Sequence, residues 1–79
     1  MKKPPFNETA DLIEALARLE HDQWTYWSQA VAEVVPDSTR VRWQASWVDY
    51  ASLPDEAKDA DRVWARQVVA LLRQRNLIP

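Results

Sequence analysis

The chain contains no glycine and no cysteine, and only one histidine and one methionine. Without glycine it lacks the phosphate-cradling loops of P-loop and dinucleotide-binding proteins, whose backbone must approach the ligand where a Cβ would intrude. Without cysteine there is no disulfide and no thiolate metal site, which fits a reducing compartment. A single histidine rules out a His-rich metal centre, and no cofactor is expected. No apolar run approaches the ~20 residues that a bilayer span requires. The amino end, MKKPPFNETA, has two lysines with no apolar stretch behind them. No signal peptide is therefore expected, and a cytoplasmic protein is. A basic excess is missing too. Ten Lys and Arg against twelve Asp and Glu give a net charge of −2, which argues against direct nucleic-acid binding.

What remains is rich in apolar and aromatic residues for its length: 47% are hydrophobic and five are tryptophan. Seventy-nine residues make one domain, residues 1–79, with residues 1–8 as an arm that Pro4 and Pro5 keep out of helix. From Thr9 to about Val35 the apolar period is helical. Ile13, Leu16, Ala17, Trp24, Trp27, Val31 and Val34 share a face at 100° per residue, and Asn7 or Thr9 can cap its start. Pro36 interrupts, and Asp37 or Ser38 can open a second helix over about Ser38 to Val48. Ser52 and Asp55 have capping-box spacing ahead of a third helix, with Pro54 tolerated in its first turn. Ala57, Ala60, Trp64, Val68, Leu71 and Leu72 are its expected buried stripe, and Asn76 its stop. Strand-like alternation and repeats are absent. The fold class is all-α: a compact bundle of a long first helix, a short second and a long third.

Candidate site residues gather in LARLEHDQWTYW, residues 16–27. Glu20 falls near the middle of the apolar face, where a carboxylate needs a partner or an opening. Arg42, Arg62 and Arg66 are the candidate partners. His21 lies at the edge of the same face; it is either a hydrogen-bonded packing residue or a hydrogen-bonding group for a ligand. Successive helical side chains diverge by about 100°, so Glu20 and His21 do not form a catalytic dyad by themselves. In the second helix, Trp43, Trp47 and Tyr50 lie opposite Val41, Ala45 and Val48. That aromatic set reads as core, as a protein-contact face, or as a stacking platform for a flat ligand. Arginines nearby can meet phosphate or be solvated charges, and Lys58, Asp61 and Arg62 have the spacing of a helical surface pair.

Two segments, LARLEHDQW (16–24) and WVDYASLPDEAKDADR (47–62), resemble the RyR domain. This is the small helical repeat of ryanodine receptors, found also as single domains in bacterial and phage proteins. The first is similar to the family's histidine–x–x–tryptophan helix, here His21 and Trp24. The second is similar to its aromatic, Leu-Pro, acidic and basic run, here Tyr50, Leu53, Pro54, Lys58, Asp61 and Arg62. Together they cover about a third of the chain. The Gly-Trp-x-x-Gly turn and His-Pro element of larger members have no counterpart in residues 31–44, so the resemblance is to a trimmed, phage-type form. It implies a ligand- or partner-binding module that is not an enzyme, with nucleotides among the ligands, and puts His21, Trp24, Tyr50 and Arg62 forward.

The expected function is therefore non-enzymatic capture of an anionic aromatic ligand of nucleotide-derived type. In a phage setting this would be a counter-defence protein acting in the host cytoplasm. The expected ligand-binding residues are Glu20, His21, Trp24, Arg42, Trp43, Trp47, Tyr50 and Arg62, with no catalytic or metal-binding residue. The alternative is an interaction module or inhibitor that uses the Trp43/Trp47/Tyr50 face against a host protein or in a homodimer.

Overall fold

A computed structural model describes residues 8–79, which form three α-helices and two single turns of 3-10 helix with no strand. Helix α1 spans Glu8–Ala30, α2 Asp37–Gln44 and α3 Asp55–Gln74. The turns are Ala32–Val34 and Tyr50–Ser52. The expected all-α architecture of long, short and long helices is the one observed. The candidate cap at Asn7 lies outside the described residues.

Each helix ends for a local reason. α1 stops at Ala30, short of the expected Val35. Proline disfavours α conformation in the residue before it, and Val35 is extended at φ −97°, ψ 157°. β-branched Val31, Val34 and Val35 add little helical preference of their own. α2 closes at Gln44 rather than Val48, its last turn tightening through Ser46 N–H to the Trp43 carbonyl at 2.9 Å. Residues 45–49 are then held across α1 by tertiary hydrogen bonds. The expected capping box does not form, because Ser52 is taken into a 3-10 turn and Pro54 precedes α3 without a side-chain cap. At the far end Asn76 adopts φ 57°. Asn76 N–H reaches the Arg73 carbonyl at 3.0 Å and Leu77 N–H the Leu72 carbonyl at 2.9 Å, the paired bonds of a Schellman stop.

α1 and α3 pack as an antiparallel hairpin. Arg73 lies against Thr9 at one end, and His21 faces Asp61 toward the other. Between them Ala17 and Ala65 are buried, and their small side chains let the helices approach closely. Tyr50 and Leu53 complete the core cluster, with Ile13, Leu16 and Ala57 packed at its edge.

The stripe expected on α3 is not the buried one. Ala65 and Val69 face α1, whereas Trp64, Val68 and Leu71 are 57%, 41% and 50% exposed. The reason is a missing layer. At about 1.5 Å per residue, an eight-residue α2 runs only ~12 Å and cannot cover a hairpin about 30 Å long. The outward part of each long helix's apolar arc therefore remains uncovered among the described residues.

Candidate functional site

Between helices α1 and α3 opens a cavity of about 310 Å³, its walls formed by Glu20, His21, Trp24, Ser46, Leu53, Ala57, Ala60, Asp61 and Trp64. α1 supplies Glu20, His21 and Trp24, all within one turn. α3 supplies Ala57, Ala60, Asp61 and Trp64 at the spacing of a single helix face. The small alanines make the space, and the half-exposed Trp64 forms an apolar rim. Burying such apolar walls while leaving room for a ligand is the usual composition of a small-molecule pocket, here at the lower end of the ~300–1,000 Å³ range.

His21 is buried and immobilised. Its Nε2 lies 2.7 Å from the Val48 carbonyl. A carbonyl oxygen only accepts, so Nε2 carries the proton and donates it. Nδ1 then faces Asp61 Oδ2 across 3.8 Å, and the imidazole stacks on Trp24 with ring centroids 6.1 Å apart. Neither ring nitrogen points freely into the cavity. Burial raises the Asp61 carboxyl from its ordinary value, with the His21 imidazole opposing the rise and Glu20 adding to it. Glu20 stands on the wall without the ion pair to Arg42, Arg62 or Arg66 that the sequence reading offered. Two carboxylates thus line the cavity, and neither lysine nor arginine does.

The remaining expected residues are elsewhere. Arg62 is committed on the opposite side of the hairpin. Its Nε and Nη2 donate to Glu14 Oε2 and Oε1 at 2.7 and 2.9 Å, and its Nη1 donates to Asp59 at 2.8 Å. Tyr50 is buried and donates its hydroxyl to Glu14 at 3.0 Å, with Arg18 and Lys58 over its ring. The Arg62 hydrogen bond holds Glu14 down at a pKa of about 2, against the opposing cost of burial. The same bond raises Arg62 further above its usual range. Burial, then the bond to Glu14, raises the Tyr50 phenol. Trp47 is half-buried and donates its indole N–H to the fully buried Ser28 hydroxyl at 2.9 Å. Trp43 sets its ring edge against Trp24 at 5.9 Å and is tilted on Trp27 at 5.8 Å. Arg42 is exposed on α2. Of the eight expected residues, Glu20, His21 and Trp24 meet at the cavity, while Arg42, Trp43, Trp47, Tyr50 and Arg62 do not line it.

Asp61 and Trp64 are the wall residues that the sequence reading placed in other roles. Asp61 is four residues after Ala57, a member of the expected stripe, and that spacing was the available signal. Glu14 had no such signal, because its role depends on Arg62 and Tyr50 arriving from 48 and 36 residues away. Among the described residues no group of three or more His, Cys, Asp or Glu could hold a metal, and no helix is long and apolar enough to cross a membrane. Neither a protein-family model, nor a curated protein, nor a solved structure matches the chain.

Proposed function

We propose that the protein is a non-enzymatic binding module whose α1/α3 cavity takes the flat, hydrogen-bond-donating end of a small ligand, a nucleobase or similar heterocycle. The observation that carries this reading is the cavity's composition: apolar and aromatic walls with two carboxylates, Glu20 and Asp61, as its charged groups. Carboxylates accept hydrogen bonds from exocyclic amines and ring N–H groups, and the faces of Trp24 and Trp64 favour a planar, electron-poor ring. About 310 Å³ suits one heterocycle and not a dinucleotide. A phosphate on such a ligand would be repelled by both carboxylates and must lie outside the mouth.

The absence of turnover is part of the proposal. His21 donates its Nε2 proton to a backbone carbonyl and faces Asp61 through Nδ1, which leaves no nitrogen positioned to exchange a proton with substrate. An RyR-type module, and a phage counter-defence role in a host cytoplasm, belong to the same proposal. Of the residues that carried the resemblance, His21, Trp24, Leu53 and Asp61 line the cavity, and Tyr50 and Arg62 do not.

A thermal-shift screen against nucleobases, nucleosides, nucleotides and protonatable heterocycles tests the reading. At a hundred times its dissociation constant, a ligand adds about 2.7 kcal/mol to stability. Donor-bearing heterocycles should stabilise the protein, Asp61→Asn should weaken them at least ~10-fold, and Ala60→Trp should block the cavity. Selection of polyanions alone, with affinity rising in Glu20→Gln, would overturn it.

A further inference from the structure

Among the described residues the hairpin has an apolar face, wider than the cavity, that is only partly covered. At 100° per residue, Ala60, Trp64, Val68 and Leu71 lie within an arc of about 80° on α3, and the half-buried Ile13, Leu16 and Trp24 within a matching arc on α1. Both arcs lie on the same rotational side of the residues buried between the helices. In an antiparallel pair that places them on one face of the hairpin, as the shared cavity wall of Trp24 and Trp64 shows. Trp64, Val68 and Leu71 remain 57%, 41% and 50% exposed. Among the described residues the core beneath is thin: its buried apolar residues are Ala17, Tyr50, Leu53, Ala65 and Val69, two of them alanine. A core of that size leaves a small domain marginal by itself.

We propose that Leu16, Trp64, Val68 and Leu71 form the centre of a homodimer interface, in which a second copy of this chain packs across the open α1/α3 face to complete a four-helix core. The area is right for that occupant. Two helices about 30 Å long and packed ~10 Å apart present a face of roughly 600 Å². Two such faces bury about 1,200 Å² or more, the threshold of a stable interface. The charges also suit an isologous pair. Glu20 lies on the face toward one end, and Arg75, at the C-cap of α3, lies at its other end. A two-fold axis perpendicular to the helices and parallel to the face brings the acidic end of one copy over the basic end of its partner. This surface is distinct from the Trp43/Trp47/Tyr50 face, whose Tyr50 is buried and whose tryptophans are half-buried within the monomer.

A second copy would pack over the cavity mouth at Trp64, so the interface and a bound ligand compete for that rim. The interface itself does not rest on a ligand, and the screen above can fail without touching it. Light scattering of the full chain should give twice the 9.2 kDa chain mass, with a melting temperature that rises with protein concentration. Val68→Asp should weaken association about a hundredfold or more, because it buries an unpaired charge in each half of the interface. Should that variant fail to fold, the native absence of cysteine offers an independent readout. Val68→Cys should cross-link into a covalent dimer under mild oxidation or a short bismaleimide, while Arg66→Cys, about 160° around α3 from Val68, should not. A 9.2 kDa particle at every concentration, a concentration-independent melting temperature, or equal cross-linking of the two cysteine variants would overturn the proposal, leaving the face to a different protein or to the chain's own amino end.

Discussion

Replacing Glu14 with glutamine should destabilise the domain at neutral pH and leave it little changed in acid. Glu14 accepts two hydrogen bonds from Arg62 and one from Tyr50, and its pKa falls from 4.5 to about 2. A fully buried carboxylate with that change would contribute about 3.4 kcal/mol at pH 7, at about 1.4 kcal/mol per pH unit. The Glu14 side chain is 45% exposed, so water screens the interaction, and about 1–1.5 kcal/mol is the realistic loss. For a domain of this size that lowers the melting temperature by roughly 5–10 °C. The sign follows from a folded pKa below the unfolded one. The stabilisation is complete above about pH 4.5 and disappears as pH falls through about 2. Urea unfolding of wild type and Glu14→Gln, followed by tryptophan fluorescence at equal protein concentration from pH 7 to 2.5, should show a gap that narrows below pH 4.5. Equal stabilities at pH 7, or a gap of constant size down to pH 2.5, would refute the role given to this ion pair.

Two further substitutions probe local structure. Ser28→Ala removes the acceptor of the Trp47 indole N–H at a fully buried position and should cost about 1–3 kcal/mol in urea unfolding. A neutral result would mean that the indole is served by water. Asn76→Gly should be neutral or slightly stabilising and Asn76→Ala should cost about 1 kcal/mol, since the residue sits at φ 57° where a Cβ is unfavourable. Equal melting temperatures for the two would show that the helix stop does not depend on this conformation.

Helix number and type were legible because they rest on short-range patterns. A 3.6-residue apolar period, Pro36 and Pro54 as interruptions and Asn76 as a stop act within a few residues of themselves. Boundaries were less legible. Val35 yielded to Pro36, but residues 45–49 left the helix because Trp47 and Val48 hydrogen-bond to Ser28 and His21 on α1, partners 19 and 27 residues away. The same limit applies to the site. Glu20, His21 and Trp24 lie within one turn of α1, so their proximity follows from helical geometry alone. Asp61 and Trp64 join them only through the hairpin. Arg62 and Tyr50 looked available for a ligand because Glu14, on the far side of the hairpin, is no neighbour of theirs in sequence.

The wheel of α3 shows the division most clearly. Its period establishes a broad apolar arc, and Trp64, Val68 and Leu71 are its bulkiest members, so hydrophobicity alone centres the buried stripe on them. The fold buries Ala65 and Val69 instead, because α1 presents Ala17 at the crossing and small residues let two helix backbones come closest. By itself the sequence determined the helical periods, their breaks and the clustering of Glu20, His21 and Trp24. Which side of each helix is covered, which charges are spent on one another, and where a cavity opens were decided by the tertiary structure, since each depends on what a distant segment brings into contact.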